Sequence, residues 1–361
     1  MARKPEGELR RGWTTGACAT AATRAAYAAL LTGGFPDPVE ITLPKGRRVS
    51  FSLARDRLGA DQAMAAIVKD AGDDPDVTHC ALIMATVRRG APGAGVSFRA
   101  GEGVGTVTLP GLPLGVGEPA INPVPRAMMR QTVAELAAEH GDAGDVDIEI
   151  AIPGGEAMAA KTMNGRLGIL GGLSILGTTG IVIPYSCASW IASIRQGIDV
   201  ARAAGVRHAA GSTGSVSEAA VQKLHSLDEI ALLDMGDFAG GLLKYLRDHP
   251  IARLTIAGGF AKLAKLAAGH LDLHSGRSQV DFDWLAGIVA ELGGDDALVE
   301  ATRGANTAGQ VVEMAARAGL PLGDRIAAKA RETALGVLAG GVAVEVVIFD
   351  RESRLVGRAD G

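Results

Sequence analysis

Residues 206–214 read Val-Arg-His-Ala-Ala-Gly-Ser-Thr-Gly. A short apolar run, Val206 to Ala210, enters a turn of two glycines flanking two hydroxyls. A helix-like segment, Ser217 to Leu224, follows. The pattern recurs twice. Ile230 to Leu233 ends at Asp234, with Gly236 and Asp237 beyond, before a helix-like Ala239 to Leu246. Leu254 to Ile256 runs into Gly258 and Gly259, before a helix reaching Ala268. Strand, glycine turn and helix in repeated series predict a mostly parallel sheet with helices on its faces. In such sheets ligands lie beyond the carboxyl ends of the strands, where these glycine turns fall.

Upstream, Lys161 to Pro184 is rich in glycine, interleaved with Leu and Ile. It is too glycine-rich for a helix and too apolar for a solvent loop. Its segment Gly177-Thr178-Thr179-Gly180 has the same glycine–hydroxyl character as Gly211-Ser212-Thr213-Gly214, and with Gly258-Gly259 the three are expected to line one ligand crevice. A phosphate loop of the form G-x-x-x-x-G-K-[ST] is absent, since Thr178 follows Gly177, and no G-x-G-x-x-G fingerprint follows a strand. Asp234 and Asp237 stand just past a strand, where a carboxylate can accept ribose hydroxyls; each could equally be a helix cap. Ser186 to Ala204, Phe282 to Leu292, Thr307 to Ala318 and Arg325 to Leu335 read as helices. Val342 to Phe349 alternates as a last strand, and Arg351 to Gly361 is expected to fray.

Towards the amino terminus, Trp13-Thr14-Thr15-Gly16 precedes an alanine-rich run to Leu31, closed by Gly33-Gly34. Thr14 or Thr15 can cap this helix. Its free N–H groups make Thr14, Thr15 and Gly16 a candidate seat for a carboxylate or phosphate, or an ordinary cap. Cys18 lies in the first turn, where a thiolate would be favoured. Val39–Leu43 and Arg48–Leu53 form a hairpin pattern; Asp61–Lys69 looks helical; Thr78–Arg88 and Val96–Phe98 look extended. Pro125 opens a helix that reaches His140. Val146 to Ile152 alternates as a strand. The boundary is placed near Gly141–Gly144, giving an α+β domain at 1–143 and an α/β domain at 144–361.

The 361 residues carry a formal charge of -4 and no long basic block, which argues against nucleic acid as a partner. Met1 to Arg11 bears charges of both signs and lacks the apolar core of a signal peptide. No uncharged apolar run has the length of a membrane helix, so a soluble, cytoplasmic protein is expected. Cys18, Cys80 and Cys187 are too scattered for a disulfide framework or zinc motif, and Cys80 reads as a small core residue. His270 and His274, four apart but bracketed by Gly269 and Gly276, make a poor ligand pair; no protein metal site is expected.

Four segments together resemble one family. They are Arg11-Gly12-Trp13-Thr14-Thr15-Gly16-Ala17-Cys18-Ala19; Gly101 to Gly105 continuing through Pro110-Gly111-Leu112 to Gly117-Glu118-Pro119-Ala120-Ile121-Asn122-Pro123-Val124-Pro125-Arg126; Gly171 to Val182; and Gly258-Gly259-Phe260-Ala261-Lys262 to His270, with His274 beyond. The chain resembles the CbiD-type cobalt-precorrin-5B (C1)-methyltransferases of cobalamin biosynthesis. Trp13 stands where another aromatic is usual in that family, and Arg11 sits directly beside Gly12. The resemblance implies S-adenosyl-L-methionine as methyl donor and a cobalt-containing corrinoid as acceptor, the cobalt carried by the substrate. It also implies a two-domain fold. The first domain would be related to the second-domain fold of ribosomal protein S5, and the second would be Rossmann-like. From the repeated strand–glycine–helix transitions, the second domain is expected to contribute to S-adenosylmethionine binding and the first to corrinoid binding.

A flat ring with many carboxylates needs apolar surface and a few cations. Arg126, Lys161, Lys262 and Lys265 are candidates, with Thr14, Thr15 and Gly16. Methyl transfer from a sulfonium needs alignment and desolvation rather than an acid. A base managing a ring proton could be His274 or Glu118. The cofactor is expected on Gly177, Thr178, Thr179, Gly180, Gly211, Ser212, Thr213, Gly214, Asp234, Asp237, Gly258 and Gly259. Competing readings are a non-catalytic corrinoid-binding or pathway-scaffolding protein and a nicotinamide-dependent dehydrogenase; the missing fingerprint opposes the latter. Homo-oligomers and transient contacts with neighbouring pathway enzymes are compatible with the sequence.

Overall fold

A computed structural model describes residues 7–361; the first six of the mixed-charge start, Met1 to Arg11, lie outside them. The chain divides into two compact units, one ending at Cys187 and one from Ala188 to Gly361.

The first unit runs β1 (Gly12–Trp13), α1 (Thr15–Thr32), β2 (Val39–Thr42), β3 (Arg48–Phe51), β4 (Arg55–Leu58), β5 (Gln62–Val68), β6 (Leu82–Arg89), β7 (Val96–Ala100), β8 (Thr106–Val107), α2 (Pro123–His140), β9 (Val146–Ala151), α3 (Gly155–Ala159), β10 (Ile169–Leu170) and β11 (Ile181–Val182). Its main sheet has the order β4-β5-β6-β9-β7, with only the β9–β7 pair parallel. Helix α1 is buried along almost its whole length. That explains its composition: alanine lets the helix lie close to β5, β6 and α2 at once. The hydroxyls it carries are satisfied internally, Thr20 donating to the Gly16 carbonyl and Thr23 to that of Ala19, both at 2.8 Å.

Three expectations change here. Residues 61–69 are not helical; Gln62–Val68 is the strand between β4 and β6. Its alanines and Met64 favour a helix locally, but pairing on both edges and the close approach of α1 override that preference. The boundary near 143 also moves. Strand β9 hydrogen-bonds to β6 and β7, so 146–151 completes the first sheet, and the division falls after Cys187. Cys80 is no core residue either: it is exposed and has φ 63°.

The second unit continues with α4 (Cys187–Ala203), β12 (His208–Ser212), α5 (Ser215–His225), β13 (Leu232–Asp234), α6 (Ala239–Asp248), β14 (Arg253–Gly259), α7 (Phe260–Ala267), α8 (Phe282–Glu291), α9 (Asp296–Arg303), α10 (Ala308–Arg317), α11 (Leu322–Leu338), β15 (Ala343–Phe349) and β16 (Leu355–Ala359). The sheet order is β13-β12-β14-β15-β16, parallel except for the last pair. Residues 351–361 therefore do not simply fray: β16 pairs antiparallel with β15. Helix α9 was not anticipated. Ala210, Val221, Leu232, Ala257, Val347 and Phe349 pack together across β12–β15 and α5. No helix among the described residues is long and apolar enough to cross a membrane.

Candidate functional site

In the second unit the chain leaves β12 for β13 on one side, while β14 leads to β15 on the other. The gap between the carboxyl ends of β12 and β14 is thus a topological switch point, where a crevice opens in open α/β sheets. Hydrogen bonds gather the loops there: Thr213 N–H donates to the Ala257 carbonyl and Gly236 N–H to that of Ser212, each at 3.0 Å. A Cβ on Gly258 would stand 2.8 Å from Thr213 Oγ1, so the loops meet only because that residue is glycine. Gly211 instead serves packing, since a Cβ there would collide with Leu242. Gly214 and Gly259 border open space and are the caps of α5 and α7, and neither helix start has a side-chain cap. Backbone N–H groups in those first turns must find acceptors elsewhere.

This end of the sheet is charged. Asp237 is buried, and Lys262 Nζ lies 3.1 Å from its Oδ1. The ammonium is aimed at the Thr213 carbonyl, 2.7 Å away, so the Asp237 oxygen feels the positive charge without an aligned hydrogen bond. Ser212 Oγ is likewise buried and unpartnered. Ser212 Oγ at the end of β12 has no partner and Asp237 Oδ1, just past β13, has an ion pair but no hydrogen bond; both are costly unless a ligand satisfies them. Asp234 ends β13, its carbonyl accepting from Trp190 Nε1 at 3.1 Å. Lys265, expected to meet a ligand carboxylate, is buried and donates to the Leu273 carbonyl at 2.7 Å. Desolvation pushes its pKa down, partly opposed by Asp237. The same segment closes onto the site through Leu273 N–H, 2.8 Å from the Asp237 carbonyl.

His274 follows directly and is exposed. Its Nδ1 accepts from Gly276 N–H at 3.0 Å. A neutral imidazole so engaged carries its proton on Nε2. Its lone pair is already used, so His274 is fitted to donate a hydrogen bond rather than to abstract a proton. His270 and His274 belong to no metal-ligand cluster among the described residues.

The first unit corrects three expectations. The Gly177–Gly180 loop, expected to hold the cofactor, instead covers the start of α1. Thr14 N–H donates to the Gly180 carbonyl and Gly16 N–H to that of Leu176, both at 3.0 Å, while Thr14 Oγ1 accepts from Ala17 N–H at 3.2 Å. A Cβ on Gly177 would lie 2.3 Å from Thr14 Oγ1. Thr178 and Thr179 go with that loop, Thr179 Oγ1 accepting from Ile181 N–H. The helix start is thus closed by protein carbonyls; Thr14, Thr15 and Gly16 are buried and offer no open anion seat. Cys18 is fully buried, and desolvation pushes its thiol up to about 12, with Lys69 only partly opposing, so no thiolate forms there. Lys69 itself, missed in the sequence, is a buried ammonium bonded to Asp76 and Thr78.

Glu118 and Arg126 do come together, Arg126 Nη1 lying 3.0 Å from Glu118 Oε2. Lys161 is exposed just beyond α3.

At the opposite end of the second-unit sheet, His208, His225 and Glu345 have ligand-type atoms within 4.8 Å of one another. Glu345 is fully buried, but its oxygens already hold Arg358 at 2.7 Å, Thr255 Oγ1 at 2.7 Å, His225 Nε2 at 2.7 Å and Arg253 at 3.3 Å. Two guanidiniums leave no electrostatic case for a cation, and the cluster reads as a bolt tying β12, β14, β15 and β16.

Comparison with known proteins then places the chain. The CbiD family profile matches residues 2–184, and that of the CbiD C-terminal domain matches 272–360. A protein of Paramagnetospirillum magneticum named cobalt-precorrin-5B C(1)-methyltransferase is 62% identical over 355 residues, 98% of this chain and 99% of that one. The chain belongs to the CbiD family. A Bradyrhizobium CbiD relative of the same name is 60% identical over 98% of this chain and 94% of its own. The crystal structure of a cobalamin biosynthesis protein (cbiD) from Archaeoglobus fulgidus is 27% identical, covers 75% of this chain and 84% of that one, and aligns with a TM-score of 0.41.

Proposed function

We propose that this CbiD chain transfers a methyl group from S-adenosyl-L-methionine to C1 of cobalt-precorrin-5B, giving cobalt-precorrin-6A in cobalamin biosynthesis. The observation that carries the reaction is near-full-length identity of about 60% to proteins bearing that name. The seat for the donor rests on Ser212 and Asp237, buried oxygens without hydrogen bonds in the loops that follow β12 and β13 beside the β12/β14 switch point. The parallel strand order also supports reading the second unit as Rossmann-like; an S5-like first unit rests on the resemblance alone.

Bound there, the donor supplies an electrophilic methyl on a positively charged sulfur. The protein's part is to hold and desolvate. Asp237, and Asp234 at the neighbouring strand end, accept from ribose hydroxyls. The uncapped helix starts at Gly214 and Gly259 offer N–H groups to the methionine carboxylate. Ser212 and Thr213 contribute hydroxyls, and Lys262 adds positive charge beside Thr213. No acid residue of this chain would be needed to expel the sulfur, which would leave as a neutral thioether. His274, with its hydrogen on Nε2, donates to a ring substituent. Arg126 and Lys161 remain proposed corrinoid contacts, the first pinned and the second exposed.

Anaerobic incubation with cobalt-precorrin-5B and methyl-labelled S-adenosylmethionine tests the reading. Label at ring carbon C1 supports it. Corrinoid binding without label transfer would favour a non-catalytic carrier.

A further inference from the structure

Leu112, Pro113, Leu114, Gly115 and Glu118 face Pro123, Arg126 and Arg130 across a hollow of about 550 Å³ in the first unit. Prolines and hydrogen bonds stiffen its loop: Gly117 N–H donates to the Val107 carbonyl at 2.8 Å and Glu118 N–H to that of Gly115 at 3.1 Å. A loop stiffened in this way lowers the entropy cost of binding.

Its two cations differ. Arg126 is built into the wall: Nε donates to the Ile121 carbonyl at 2.7 Å, Nη2 to the Pro119 carbonyl at 3.0 Å, and Nη1 pairs with Glu118. Arg130, one turn further along α2, is exposed, and no carboxylate of the described residues pairs with it. It lies over an aromatic ring: the guanidinium carbons of Arg130 and Arg126 are 5.0 and 5.5 Å from the Phe98 ring centroid. A cation–π contact of this kind favours that position while leaving N–H donors for a partner. Two guanidiniums against one carboxylate leave the hollow net positive, and Leu112, Leu114 and Pro123 supply apolar walls.

We infer that this hollow seats one carboxylate-bearing aliphatic arm of the tetrapyrrole, with Arg130 as the cation that receives the carboxylate. The inference rests on the proposed function, in which the acceptor is a corrinoid with peripheral acid side chains. A fork geometry suits a planar carboxylate, and the apolar walls suit the methylenes that carry it.

The test uses full-length protein and cobalt-precorrin-5B. Arg130→Gln should raise the Kd for the corrinoid, measured without methyl donor, and its KM about 5- to 20-fold. Affinity for S-adenosylhomocysteine should stay within about twofold, and kcat should change much less than KM. Arg130→Lys keeps the charge but loses the fork, and should recover only part of the affinity. The parent's corrinoid affinity should fall with added salt more steeply than that of Arg130→Gln. Parent-like corrinoid binding in Arg130→Gln overturns the seat. Equal loss of cofactor and corrinoid affinity also overturns it. If the parent neither binds nor methylates cobalt-precorrin-5B, the functional reading itself fails and takes the seat with it.

Discussion

Lys262 holds its ammonium 2.7 Å from the Thr213 carbonyl and 3.1 Å from Asp237 Oδ1. A lysine on the first turn of α7 thereby joins the ends of β12 and β13, beside a carboxylate that lacks an aligned donor. Asp237→Asn removes the acceptor charge while keeping the shape. It should weaken S-adenosylhomocysteine binding by roughly 5- to 150-fold, the loss of a charged hydrogen bond of ~1–3 kcal/mol. Calorimetry should show this with little change in unliganded melting temperature. Parent-like affinity in both Asp237→Asn and Asp234→Asn would remove the ribose assignment.

Glycines in the two units should respond in opposite ways. A Cβ on Gly16 would sit 2.7 Å from Pro125 Cγ and 3.2 Å from the Leu176 carbonyl. Gly16→Val should therefore cost about 1–3 kcal/mol of stability or more through overpacking, rather than acting on substrate alone. Gly259 has nothing within 4 Å of such a Cβ. Gly259→Val should leave urea unfolding nearly unchanged while weakening cofactor binding at least several-fold. Equal stability losses in the two variants would contradict the assignment of open space to the α7 start.

Cys18 offers a test of the buried helix start. With its thiol pushed up to about 12, it should resist alkylation by iodoacetamide in the native protein at pH 8 and react only on unfolding. Cys18→Ala should keep most turnover. Rapid native labelling at Cys18 with matched loss of activity would restore a chemical role for the sulfur.

The Lys69–Asp76 pair predicts an acid limit. Burial works to raise the Asp76 carboxyl, but Lys69 and the Thr78 hydroxyl and N–H outweigh it and hold it below its ordinary value. A folded value below the unfolded one, about 3.9, means the stabilisation is complete above pH ~4 and is lost as pH falls through the folded value. Asp76→Asn leaves the Lys69 ammonium buried without its counter-charge and should cost about 3 kcal/mol at pH 7. In urea unfolding the gap between parent and variant should narrow below pH 4. A gap independent of pH would show that the pair is not the source.

Much of the architecture was legible locally. The Thr14 cap with its alanine run, the proline at the start of α2, the alternation of 146–152 and the three strand–glycine–helix transitions all act within a few residues, so a linear reading finds them. The same transitions pointed to Ser212, Thr213, Asp237 and Gly258 at one sheet end, and the switch point brings them there. What the sequence could not decide was which segments meet. Gln62–Val68 has helix-favouring alanines, yet strand partners on both edges make it extended. Val146–Ala151 reads equally well as the first strand of one unit or a middle strand of another, and only its pairing with β6 and β7 settles that. Gly177–Gly180 looks like a ligand loop, but it spends its backbone on the start of α1. Arg130 and Phe98 lie 32 positions apart and carry no motif; their contact exists only once α2 lies beside β7. Caps, periods and turns are set by neighbouring side chains and backbone sterics, whereas pairing, burial and the satisfaction of polar groups depend on chain segments that meet only in the folded protein.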